Sequence, residues 1–301
     1  MVLIHSTIYF FANILNNLFI LLYNKYCLLH NLANTYLERK FNMSEETAIK
    51  LVNENPIYIR HLENPQVEIQ KIAVKKNGST IQYIKNPSEE VKILAIKSSP
   101  LAIQHIDNPS IDMEILSVKG NWNALKYIKN PASEVIEAAL KSKGWAIEFV
   151  KAPTKQQQIM AIETDYDAIK YIKNPEEKVQ VMAVKKYWGA IKFIEKPCFM
   201  AKREAIKQNP EAIMYLNQYD ENDLKVFIKD NINILKYVYE TVDIDLVVQV
   251  LKEKVAEENI DFAYIRNYLE LEILEMDKLN FIREFGSKEA KKALVDYKLS
   301  I

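Results

Sequence analysis

Residues 83–104 read YIKNPSEEVKILAIKSSPLAIQ, and this stretch decides the fold because the chain repeats it. Pro65, Pro87, Pro109, Pro131, Pro153, Pro175 and Pro197 follow one another at intervals of 22 residues. Units in the same phase begin at His61, His105, Tyr127, Phe149, Tyr171 and Phe193, and two without the proline begin at Tyr215 and Tyr237. A partial unit occupies residues 43–60. Self-similarity at a short fixed period marks an array whose units bury their apolar faces against one another.

Each unit carries helix-start chemistry. In Asn86-Pro87-Ser88-Glu89 the Asn offers a side-chain acceptor, the Pro has the φ of a first helical residue, and the Glu suits a capping box. The sequence therefore predicts a helix beginning near Pro87, turning Val91, Leu94, Ala95 and Ile96 inward, and broken by Ser98-Ser99-Pro100. A second short helix follows, with Leu101, Ala102, Ile103, His105 and Ile106 as its buried side. Helices of about 8 to 11 residues are marginal alone in water, so stacking is obligatory. Val74, Ile96, Val118, Leu140, Ile162, Val184, Ile206, Ile228 and Val250 share one repeat position. Beside them run Ala73, Ala95, Ser117, Ala139, Ala161, Ala183 and Ala205, small enough to let successive helices approach closely. The expected fold is all-α: an α-solenoid of about ten short helix-turn-helix repeats over residues 43–258, with helical caps at both ends. Residues 1–42 form a hydrophobic amphipathic segment and residues 259–301 a degenerate C-terminal cap.

Composition removes several function classes. Forty basic and 40 acidic residues leave no net charge to recruit a polyanion or a membrane to the whole molecule. Cys27 and Cys198 make neither a disulfide framework nor a zinc site, and His5 and His30 have no ligand-spaced partners, so a reducing cytoplasmic setting is expected. There is no phosphate-binding Gly loop, no G-x-S-x-G, no H-E-x-x-H and no Cys/His pair. No catalytic residue, metal or cofactor is expected, and the chain reads as a non-enzyme.

Residues 1–24 contain no Asp, Glu, Lys or Arg, and 17 of the 24 are apolar. Three readings stand open there: an amphipathic helix capping the stack, supported by the spacing of Ile4, Ile8, Phe11, Leu15, Leu18, Leu22, Tyr26 and Leu29; an extension ahead of a product starting at Met43; and a membrane anchor. The charge is weakly polarised, with a balance of +4 over residues 43–214 and −6 over residues 215–301.

Trp122, Tyr166 and Trp188 share a turn position, and Trp145 stands one residue past it. With Tyr187 they are the expected partner-binding residues, because a large aromatic in a surface turn needs a reason and basic neighbours make such rings good anchors. Folding of these rings back onto the solenoid is the competing account. Lys97, Lys119, Lys141, Lys143, Lys185, Lys186 and Lys207 offer an alternative, a lysine stripe able to follow the phosphates of RNA or DNA. Lysine in a last helical turn also simply complements the helix dipole. The ladder His61, Tyr83, His105, Tyr127, Phe149, Tyr171, Phe193, Tyr215 and Tyr237 reads as packing. The unit 149–170 departs most from consensus, at Ala152, Gln157 and Glu163.

The tandem pattern, as in AIKYIKNPEEKVQVMAVKK over residues 168–186, resembles short α-helical repeats of uncharacterised bacterial, phage and giant-virus proteins, and more broadly HEAT-type α-solenoids. The resemblance covers about residues 43–258 and brings no catalytic residues with it. It implies a binding or scaffold protein, usually for proteins and sometimes for nucleic acid. A phage or mobile-element inhibitor or adaptor of a host complex would fit that implication.

Overall fold

The structure, a computed structural model, describes residues 21–22, 25–30 and 44–300. Among the described residues it is all-α, and it divides into two compact units, Met1–Ile106 and Asp107–Ile301. The first holds three pairs, each a ten-residue α-helix followed by a six-residue 3-10 helix: Glu45–Glu54 with Pro56–His61, Val67–Lys76 with Gly78–Tyr83, and Glu89–Ser98 with Pro100–His105. The second begins with five such pairs, from Ile111–Gly120 with Trp122–Tyr127 to Phe199–Gln208 with Pro210–Tyr215. A sixth follows, in which Glu221–Asp230 is paired with a short 3-10 turn, Ile232–Ile234, that runs into Leu235–Val238. Ile244–Val255, Phe262–Glu270, Lys278–Phe285 and Lys288–Ser300 complete the chain. Within each unit, α-helix packs on the next α-helix and 3-10 helix on the next 3-10 helix, which is solenoid packing in two layers.

In each of the pairs one junction residue both ends the α-helix and precedes the 3-10 helix. Asn121, at φ −154°, sends its backbone N–H to the Ser117 carbonyl at 2.9 Å and so closes the α-helix. Its side chain then accepts from Asn123 N–H at 3.0 Å and opens the 3-10 helix. Asn55, Asn77, Asn209 and Asn231 repeat the arrangement. Only six residues remain before the next turn, enough for i to i+3 bonding and too few for a self-sustaining α-helix.

The α-helix starts two residues later than the sequence suggests. Ser88 is the cap, its Oγ accepting from Val91 N–H at 3.4 Å, and the helix begins at Glu89. The third helical position is then Val91, so no carboxylate there closes a capping box. The reciprocal box does form at Thr154 and Gln157, with bonds of 3.0 and 3.3 Å. Asn86 has a different task. It adopts the left-handed backbone at φ 51°, as do Asn64, Asn108, Asn130 and Asn174. Asn tolerates that region better than other side chains. Ala152 and Lys196, in the same phase, do not adopt it. Asn130→Ala should therefore lower stability by about 1–2 kcal/mol, while Asn130→Gly retains most of it. Chemical denaturation of the two variants measures the difference.

Both ladders are core. The nine β-branched or leucine positions are at most 1% exposed, and Ala73, Ala95, Ser117, Ala139, Ala161, Ala183 and Ala205 are completely buried. The 3-10 layer adds Ala102, Ala124, Ala146, Ala168, Ala190 and Ala212, also fully buried. At the C-terminal end, the Tyr264 hydroxyl donates to the Ile228 carbonyl at 3.0 Å, tying Phe262–Glu270 to the last repeat. Burial pushes that hydroxyl far above the ordinary tyrosine range. Most of the N-terminal segment lies outside the described residues. Leu21, Leu22, Tyr26, Leu28 and Leu29 are exposed, and no helix among the described residues is long and apolar enough to cross a membrane.

Candidate interaction surface

The residue after each junction opens a 3-10 helix, and Trp122, Tyr166 and Trp188 all occupy that place. Gly144 holds that place in the unit where the aromatic, Trp145, stands one residue later. A Cβ on Gly144 would lie 2.2 Å from the Ala161 carbonyl oxygen of the next helix. Gly144→Ala should cost about 1–3 kcal/mol through forced separation of the two repeats, and thermal unfolding of the variant checks this.

These rings are half-buried or just exposed, and the three tryptophans meet the aromatic that ends the 3-10 helix of the following unit. Trp122 stacks on Phe149 at 5.9 Å and 22°, Trp145 meets Tyr171 edge-on at 6.1 Å, and Trp188 meets Tyr215 at 6.3 Å. Trp122 and Trp145 touch edge to face at 6.5 Å. Tyr166 contacts Tyr187 at 5.1 Å, and Tyr187 contacts Trp188 at 5.9 Å. The predicted residues are thus brought together in two runs of rings within the second unit. Sequence reasoning missed Phe149, Tyr171 and Tyr215 as members, having assigned their ladder to packing alone. The missed signal is an offset of one period plus four or five residues, which links a turn aromatic to the next unit's ladder aromatic.

Two lysines that were also missed lie on the rings. Lys170 Nζ is 4.0 Å from the Trp145 ring centroid and 5.0 Å from that of Tyr171, and Lys192 Nζ is 3.9 Å from Tyr215 and 4.8 Å from Trp188. Cations above indole and phenol faces are held by the ring quadrupole. Both ammonium groups sit above the ordinary lysine range. For Lys170, desolvation opposes the charge but the Asp167 carboxylate and Tyr171 together outweigh it; for Lys192, Tyr215 is the main cause, aided by Glu211.

Asp165 and Asp167 are consumed inside the strip. Asp165 accepts from Lys143 Nζ at 2.6 Å and from Gly144 N–H at 2.7 Å, so it caps the preceding unit's 3-10 helix where Lys143 has replaced the usual Asn. Asp167 accepts from the Trp145 indole N–H at 2.7 Å and from Lys170 at 3.3 Å. Asp165 and Asp167 of unit 149–170 thus clamp it to the preceding repeat, whereas Gln157 serves a capping box with Thr154 inside its own unit.

The lysines named for anion binding do not behave as one set. Lys143 is paired with Asp165, Lys186 Nζ donates to the Glu163 carbonyl at 2.5 Å, and Lys207 lies 3.7 Å from Asp230. Lys97, Lys119, Lys141 and Lys185 are exposed. Lys119 and Lys141 line an open groove of about 550 Å³ between Ile111–Gly120 and Ser133–Ser142, together with Glu134 and Glu137. Carboxylates thus stand among those cations. Comparison with known protein families, with curated proteins and with solved structures finds no match for the chain.

Proposed function

We propose that the chain is a non-enzymatic binding scaffold that presents the ring strip between Trp122 and Tyr215 to a protein partner. The observation that carries this reading is the strip itself: partly exposed Trp and Tyr rings, fixed by neighbouring repeats and flanked by exposed lysines. Interface hot spots favour Trp, Tyr and Arg in positions that lose little freedom on binding. The indole N–H groups of Trp122 and Trp188 make no hydrogen bond among the described residues, leaving two donors for a partner, whereas that of Trp145 is taken by Asp167. An RNA- or DNA-binding role for the outer lysines is less well supported, because Glu134 and Glu137 share their groove. The finer reading, an inhibitor or adaptor of phage or mobile-element origin acting in the host cytoplasm, rests on the resemblance of the repeats.

A pull-down from source-cell lysate with and without nuclease, alongside a Trp122→Ala/Trp145→Ala/Trp188→Ala variant, tests the reading. A protein retained after nuclease and lost in the folded variant is expected. Recovery of nucleic acid alone, abolished by nuclease, would overturn it.

A further inference from the structure

One position of the α layer recurs as Gln70, Lys92, Glu114, Ile136, Gln158, Gln180 and Lys202. Wherever it is glutamine, the side-chain amide turns back to the proline that precedes its helix. Gln70 Nε2 donates to the Pro65 carbonyl at 2.8 Å, Gln158 Nε2 to that of Pro153 at 3.3 Å, and Gln180 Nε2 to that of Pro175 at 2.8 Å. The bond ties the start of each helix to the turn that delivers it. Gln180 also reaches forward, its Oε1 accepting from the Cys198 N–H at 2.7 Å and so joining one unit to the next. Lys92 and Lys202 take other partners, Glu89 at 2.7 Å and the Gln218 carbonyl at 2.7 Å, and Ile136 has no hydrogen-bonding group to offer. Glu114 stands at this position in the first turn of Ile111–Gly120, with Pro109 ahead of it. An ionised carboxylate only accepts hydrogen bonds, whereas a protonated one has the shape of glutamine and an O–H to donate.

We propose that Glu114 is a proton-operated latch: protonated, its carboxyl donates to the Pro109 carbonyl and holds Ile111–Gly120 on the turn before it, and ionised, it releases that bond. The proton is exchanged with solvent, and no other bond is made or broken. Glu114 is half-buried, and burial raises its carboxyl above the ordinary glutamate range. The elements packed on its helix are Ser133–Ser142, with Glu134, Glu137 and Lys141, and Trp122–Tyr127, with Lys126 and Tyr127. Asp112 and Lys119 share the helix itself, and Asp107 and Lys129 lie in the flanking turns. None of these groups is a cause of the shift, so burial alone disfavours the charge. A carboxyl that keeps its proton to higher pH in the folded chain than in the unfolded one contributes stability that is complete below the unfolded value and lost as the pH rises through the folded one. The latch therefore closes as the pH falls. Asn121 joins this helix to Trp122, so the segment tightened by acid leads directly into the ring strip.

The test compares the full chain with Glu114→Gln and Glu114→Ala by calorimetry at about pH 5 and about pH 7.5. Glutamine supplies the donor at every pH, so Glu114→Gln is expected to raise Tm by about 2–4 °C at the higher pH and to lie closer to the parent at the lower. Glu114→Ala removes the charge without supplying a donor; it should gain less than Glu114→Gln at the higher pH and fall below the parent at the lower. Asp112→Asn removes the same charge from an exposed place on the same helix and should not raise Tm at either pH. A carbon-13 titration of the Glu114 carboxyl reads the proton directly, with its midpoint expected above those of the exposed glutamates. Equal gains in Glu114→Gln and Glu114→Ala would show that the buried charge, and not a missing donor, sets the cost, and would overturn the latch. So would a difference between Glu114→Gln and the parent that is the same at both pH values.

Discussion

Ala139→Phe should unfold the second unit at a markedly lower temperature, with a loss of about 3 kcal/mol or more. Ala139 is completely buried, and it belongs to a ladder in which Ser117 and Ala161 hold the same place in the neighbouring helices. A phenyl ring there has no cavity to enter. It must push apart two helices whose contact supplies most of their stability, since neither is long enough to stand alone. The shift expected in Tm is about 5–10 °C by calorimetry. Ala138→Phe is the control: Ala138 is half-buried beside the open groove, and a ring there can lie along the surface at a cost of about 1 kcal/mol or less. An unchanged Tm for Ala139→Phe would contradict the stacked register.

Asp165→Ala should loosen the ring strip at the junction that holds Trp145. Its carboxylate satisfies the N–H of Gly144, a buried residue, and holds Lys143 across the repeat junction. Removing it leaves a backbone donor without an acceptor, a loss of about 1–3 kcal/mol. The ion pair adds less, because the Lys143 side chain is 34% exposed and solvent screens it. Asp165→Asn keeps an acceptor for the amide and should cost about 1 kcal/mol. Hydrogen exchange reads this locally: protection of the Gly144–Phe149 amides should fall in Asp165→Ala and persist in Asp165→Asn. Unchanged protection in both would show that the clamp does not hold the strip.

The architecture was legible because stacking imposes identical demands on every unit. The interval between prolines and the two buried ladders follow from those demands and could be read without coordinates. Local details were harder. Asn86-Pro87-Ser88 contains two residue types able to cap a helix, and only the backbone distinguishes Ser88 as the cap from Asn86 as the left-handed turn residue. Asn121 closes one helix and opens the next, a dual use that composition does not reveal. At the surface, Trp122, Trp145 and Trp188 were identifiable as turn aromatics. Their partners Phe149, Tyr171 and Tyr215 were not, because each pair spans a repeat junction. Lys170 and Lys192 escaped notice for the same reason, while Lys119 and Lys141 drew attention through a regularity that helix-dipole complementarity explains.

The protein-binding role of the ring strip is tested most directly by placing a photo-crosslinking residue at position 126, in the 3-10 layer, and separately at position 141, in the α layer. Each variant is irradiated in nuclease-treated source-cell lysate. The account predicts a discrete protein adduct from position 126, abolished by Trp122→Ala/Trp145→Ala/Trp188→Ala, and none from position 141. An adduct confined to position 141, or one at position 126 that survives loss of the three tryptophans, would contradict it.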